Sequence, residues 1–307
     1  MKKSLVFKIS VSVLLILFLF YKIGLQNIIE TFKTFKMHYL FLAAIFLLLN
    51  HLVAIINLKI VSIPIKKIKY ISLAKSYFIS YALGMVSPGR IGEFSIAYLL
   101  KKEGFTLGQG FAMSLLDKII TLVCLSLIAL FGFYKIFPSI HLIWIIFILV
   151  IILICFFIVI FSPKIRLFIR KYIFRKYSVH MKGFSGYFRL VLLKKPQISL
   201  LNIIFTFIKW GMAVMILYAT FLGFDIKIPF IYVYVITSLV SITSLIPITI
   251  NGIGIKESLS ILLYGSLGIP SAVVLSSYII SNVLQYLFVF ILVLFLKSEV
   301  KNEEKQS

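Results

Sequence analysis

Apolar, charge-poor runs of 18 or more residues recur along this 307-residue chain, most clearly at 39–58, 142–161 and 273–296. Each is long enough to cross a bilayer hydrocarbon core of about 30 Å. In lipid a backbone must satisfy its own hydrogen bonds, which leaves only helices or a closed barrel. The runs are continuously apolar and do not alternate, so the sequence predicts helices. Composition agrees: 62% of residues are hydrophobic and 13% charged, about half the charged share of an ordinary soluble domain. The pattern is that of an all-α polytopic membrane protein and excludes a soluble enzyme.

The formal charge of +23 would suit nucleic acid, but most basic residues fall between apolar spans. Insertion bias and anionic headgroups explain them there, and no nucleic-acid partner is expected. Cys124 and Cys155 both lie inside apolar spans, which argues against a disulfide framework. Met1-Lys2-Lys3 followed by the apolar stretch 5–21 resembles a signal peptide. No small-residue cleavage site follows, so the stretch reads as an uncleaved first span.

Ten apolar segments can be drawn, at 5–21, 38–58, 70–86, 90–100, 108–134, 139–162, 198–222, 228–247, 253–265 and 271–296. At 1.5 Å per residue, 90–100 and 253–265 cover only about 16–20 Å, too little to span. Each follows a longer segment across a Pro/Gly break, Ser87-Pro88-Gly89-Arg90 in one case and Pro247 through Gly254 in the other. That arrangement predicts about six full spans plus two re-entrant helical hairpins. Loop charge tests it: with both hairpins leaving on the side they entered, 21 Lys/Arg share one side and five the other. This is a strong positive-inside pattern. Both termini are then cytoplasmic, in the plasma membrane, with the hairpins inserted from opposite sides.

The domain reading is a single integral membrane unit over 1–307: a first half 1–162, a basic cytoplasmic loop 163–197, a second half 198–296 and a short tail 297–307. A shift of 164 residues places Glu93 on Glu257 and Gly104 on Gly268. Interrupted segments at corresponding positions, inserted in opposite senses, are the pattern of an inverted repeat.

The first break reads Pro88-Gly89-Arg90-Ile91-Gly92-Glu93. Pro88 ends the incoming helix, and Gly89 and Gly92 permit close backbone approach. A new helix beginning near Arg90 would point free N–H groups and its positive end inward, which attracts an anion. Arg90 adds a bidentate phosphate or carboxylate donor, and Glu93 lies three residues on, where it can balance that charge. The plainer alternative is a self-neutralising Arg–Glu pair that only stabilises the hairpin. The second break, Asn251-Gly252-Ile253-Gly254-Ile255-Lys256-Glu257 after Pro247, repeats the logic, with Lys256 as a point charge. As a glycine loop it is weak evidence for nucleotide, since no strand precedes it.

Asp117-Lys118 sits mid-span, and adjacent helical residues point about 100° apart, so each is expected to meet a partner from a hairpin. Lys209 is read as snorkelling to the interface. The basic and apolar residues of 164–176 suit a helix on an anionic membrane surface, or an ordinary basic loop. The four histidines, His38, His51, His141 and His180, read as scattered near span ends or loops, without metal-ligand spacing. No Walker loop or Gly-x-Ser-x-Gly is present, so no cofactor, metal or catalytic set is expected.

At these residues the sequence resembles a known family. Ser87 through Glu93, then Ala97-Tyr98-Leu99-Leu100 and Gly104, is similar to "PGR-x-GE … YLL … G". Leu115-Leu116-Asp117-Lys118 resembles an "L-(E/D)-R" helix, and Ile246-Pro247 through Glu257 with Gly268-Ile269-Pro270 resembles "P … GG-x-G-x-(R/K)E … GVP". The family is the flippase-like transmembrane region of lysylphosphatidylglycerol synthases, the multiple peptide resistance factors. In this chain Lys118 stands where Arg is usual, Asn251 replaces the first Gly of the pair, and Thr121 sits where an acid often follows. The resemblance implies translocation of a lipid with a charged headgroup. In the full-length synthases a separate soluble domain attaches lysine to the lipid. This sequence ends at Ser307, so synthase activity is not expected.

The leading expectation is a lipid transporter whose headgroup site uses Arg90, Lys256, Glu93, Glu257, Asp117 and Lys118. Its partners would be anionic or aminoacylated lipids, with a homo-oligomer or a separate partner enzyme left open. The alternatives are an enzyme acting on polyprenyl-phosphate sugars, with an acid as base, and a non-transporting partner subunit.

Overall fold

The protein is described by a computed structural model, covering residues 2–136, 183–244 and 248–306. The expected span 139–162, most of the basic loop and Pro247 lie outside the described residues. Within them the chain folds into eleven α-helices and no strand. In chain order these are α1 (Lys2–Ile23), α2 (Leu25–Lys33), α3 (His38–Ser62), α4 (Tyr70–Met85), α5 (Ile96–Leu99) and α6 (Leu107–Ile136). Then follow α7 (Phe184–Arg189), α8 (Pro196–Gly223), α9 (Phe230–Thr243), α10 (Ile255–Gly265) and α11 (Ser271–Gln306).

Among the described residues, five stretches are long and apolar enough to cross a membrane: Val6–Ile23, His38–Ser62, Leu107–Leu130, Pro196–Gly223 and Ser271–Phe295. The chain is a multi-pass membrane protein. The sequence placed the starts of these helices within a few residues. Pro196 opens α8 at the first helical position, where its missing N–H has no helical partner to lose.

Three details differ from expectation or add to it. The segment 90–100 is not one short α-helix: it runs as 3₁₀ turns over Ile91–Ser95, a single α turn at α5, and 3₁₀ turns over Leu100–Glu103. Helix α11 runs past the apolar stretch 271–296 and continues to Gln306; Lys, Glu and Gln there are good helix formers. The nine-residue α2 was not anticipated. Gly24, at φ 90°, lets the chain turn sharply out of α1 into it.

The described residues form two compact units: Met1–Ala54, Tyr77–Glu93 and Phe207–Ser307 in one, Ile55–Ser76 and Phe94–Thr206 in the other. They do not follow the two chain halves. The second unit packs around Leu100, Ala112, Met113, Leu116, Tyr187 and Phe188. In the first, Phe221, Ile236, Tyr264 and Val274 are the centre of the largest apolar cluster. Lipid tails are as apolar as Leu, so such cores are held by close packing rather than by escape from water. The crossing of α5 and α6 shows it, because a Cβ on Gly110 would run into the Ala97 backbone.

Candidate functional site at two helix breaks

Both breaks lie in the first unit, and they meet. Pro88 and Ile250 form an isolated antiparallel β-bridge. Proline has no N–H to continue a ladder, and the contact stays one residue pair long. The backbone around it takes left-handed turns: φ is 58° at Gly89, 57° at Arg90, 50° at Asn251 and 74° at Gly252. Asparagine tolerates that region better than most residues, which explains how Asn251 can stand where a glycine is expected. An arginine there is strained by about 1–2 kcal/mol.

In the first break the chain returns tightly against α4. A Cβ on Gly92 would strike the Leu83 carbonyl, and one on Gly84 would strike the Glu93 side chain. Ser87 Oγ accepts the Gly92 amide at 2.7 Å, and Ser80 Oγ donates to the Glu93 carbonyl at 2.5 Å. Arg90 Nε lies 2.7 Å from Glu93 Oε1, both side chains largely buried, and the guanidinium sits over the Tyr81 ring at 5.6 Å. Because Arg90 precedes 3₁₀ turns and not an α-helix, the expected inward-pointing helix N-terminus is absent here. The charge of Arg90 itself is what the break offers an anion.

The second break does open an α-helix. Gly254 caps α10 at φ 88°. Glu257 Oε2 accepts the Gly254 amide at 2.6 Å, and Glu257 Oε1 accepts from Asn282 Nδ2 at 2.8 Å. Glu257 is 1% exposed. A glycine has no side chain to return the favour, so only the acid's half of a capping box forms. Lys256, partly buried beside it, has no hydrogen bond or ion pair among the described residues, and it lies within electrostatic reach of Arg90. Met85 ties the two breaks further, its sulfur taking Asn251 Nδ2 at 3.4 Å and its carbonyl the Tyr286 hydroxyl at 3.2 Å.

Asp117 and Lys118 belong to the other unit, and the described partners of Asp117 are not from a hairpin. Its Oδ1 accepts from Asn57 Nδ2 on α3 at 3.0 Å and from Asn202 Nδ2 on α8 at 3.2 Å. Asn202 also donates to Asn57 Oδ1 at 2.8 Å, and Thr206 joins at 3.3 Å. Asn57, Asn202 and Thr206 are all buried. This polar knot links three membrane-length helices.

A family model described as "Lysylphosphatidylglycerol synthase TM region" matches residues 5–292. The chain belongs to that family. None of the curated proteins matches it.

In this family member the sequence reading missed several partners. His51 is not near a span end: it sits mid-α3, 2% exposed, with Nδ1 3.0 Å from Tyr77 OH. Its ring stacks on Phe288 at 4.6 Å and meets the edge of Tyr81 at 4.7 Å. Asn282 and Gln285, two amides in an apolar helix, were the available signal for the support of Glu257 and for the Tyr81 hydroxyl, which reaches Gln285 at 3.4 Å. Polar groups at membrane depth need partners, so each such residue marks a contact.

Proposed function

We propose that the chain moves a lipid with a charged headgroup between leaflets, as the family's flippase-like members are understood to do. One observation carries this reading: two glycine-rich breaks, each delivering a cation, come together at the Pro88–Ile250 bridge inside a membrane protein. Two cations gathered in apolar surroundings favour an anion, and a lipid phosphate is the anion a bilayer supplies. Arg90 provides a planar donor and Lys256 a point charge. Glu93 and Glu257 limit the positive charge when the site is empty, or meet the amine of an aminoacylated headgroup. The acyl tails stay in lipid.

The breaks are read as re-entrant. Helix α4 has 16 residues, α9 has 14 and α10 has 11, about 24, 21 and 16 Å at 1.5 Å each, short of a 30 Å core. The charge asymmetry of the loops supports cytoplasmic termini and a plasma-membrane location.

The test is lipid movement in vesicles. Wild-type protein reconstituted with a headgroup-labelled anionic phospholipid should expose inner-leaflet probe to a membrane-impermeant quencher. Arg90→Gln/Lys256→Gln should abolish that exposure. An unchanged rate in the double variant sinks the proposal.

A further inference from the structure

Hydroxyls in helices commonly bond back to a carbonyl three or four residues earlier. Thr243 does so to Val240 O at 2.6 Å, Ser258 to Gly254 O at 2.7 Å and Ser266 to Leu263 O at 2.7 Å. In the same part of the fold, six hydroxyls do not. Ser238, Ser260, Ser276, Ser277, Tyr278 and Ser281 are buried, and their oxygens find no hydrogen-bond partner among the described residues. Leaving one polar group so is unfavourable, and leaving six together in α9, α10 and α11 calls for a missing partner.

Their arrangement gives the partner a place. The buried residues of α10 are Glu257, Ser260 and Tyr264. At spacings of three and seven they occupy one face. Leu262, on the same helix, is 69% exposed, so α10 turns Glu257, Ser260 and Tyr264 inward and Leu262 outward. Against that inward face Asn282 holds Glu257, Thr237 Oγ1 lies 3.5 Å from Tyr264 OH, and Tyr278 stands beside Ser260, Thr237 and Glu257. From Glu257 to Tyr264 the stripe is about 10 Å long at 1.5 Å per residue. It starts at the second break and ends at the C-terminal turn of α10.

We propose that this stripe is a water lane. It is closed in the structure, and its hydroxyls take water as partners when α10 separates from α9 and α11. The lane lets water, and with it the hydrogen-bonding part of the lipid, reach Lys256 and Glu257 from the C-terminal end of α10. The tails remain on the Leu262 side. This rests on the lipid-transport reading and names the route its headgroup takes.

Cysteine accessibility tests it. In a full chain carrying Cys124→Ala and Cys155→Ala, single cysteines are introduced and the protein, in vesicles, is exposed to a charged methanethiosulfonate. That reagent attacks the thiolate, which forms only where water reaches. Ser260→Cys and Ser281→Cys should label within roughly tenfold of the exposed Ser266→Cys, and Leu262→Cys on the order of a hundredfold more slowly. If both interior cysteines are as slow as Leu262→Cys in monodisperse protein, the lane is wrong. Label at Ser260→Cys should also stop lipid movement; movement that continues in fully labelled protein overturns the headgroup route. Rapid labelling of both interior cysteines, with wild-type protein that moves no lipid, would uphold the lane and sink the transport reading instead.

Discussion

The two breaks carry the same order of residues, glycines then a cation and an acid, yet the acid does different work in each. In the first, Glu93 lies 2.7 Å from the Arg90 guanidinium. In the second, Glu257 is committed to the Gly254 amide and to Asn282, so Lys256, though within electrostatic reach of Glu257, makes no direct ion pair among the described residues. The cause is backbone geometry. An α-helix starts at Gly254 and presents an orphan amide to the third residue, whereas Arg90 is followed by 3₁₀ turns. An anion reaching Lys256 therefore displaces nothing, while one reaching Arg90 competes with Glu93.

The sharpest way to break this contrast is to remove each acid. Glu257→Ala strands a buried amide and the Asn282 side chain, and should lower stability by about 3 kcal/mol, read from unfolding in detergent. Glu93→Ala should lose about 1 kcal/mol, since its partner keeps some exposure. Equal losses would mean the two acids are equivalent after all.

Next in size is Gly92→Ala. The new methyl meets the Leu83 carbonyl, which cannot swing away as a side chain could, so a loss of about 2 kcal/mol is expected in the same melt. Little change would show that the first break is looser than described.

Lipid retention comes third. Native mass spectrometry of purified protein should find anionic lipid reduced about tenfold by Lys256→Gln and about threefold by Arg90→Gln, the difference being the charge Glu93 already cancels. The reverse order would make Arg90 the principal contact. The smallest effect is a gain: Glu93→Gln should raise anionic-lipid retention about twofold by freeing Arg90, and Glu257→Gln should not.

The long helices were legible because hydropathy alone dictates them: α3, α6, α8 and α11 begin within about two residues of their apolar runs. The two breaks were legible as well, since Pro and Gly punctuate an otherwise unbroken apolar text. What failed was whatever depends on a distant partner. The 3₁₀ path of 91–95 follows from Gly92 packing on Leu83, a contact no periodicity encodes. Asp117 takes Asn57 and Asn202, 60 and 85 residues away along the chain, and His51 is boxed by Tyr81 and Phe288. A polar residue in an apolar run announces that it needs company but not whose.

The Pro88–Ile250 bridge is one residue pair wide, and proline keeps it from growing into a ladder. A tie so narrow yields to thermal motion, but while it holds, a pull on one break is felt at once by the other. Two breaks fastened in this way behave as a single lever. A substitution on either side is then felt by both.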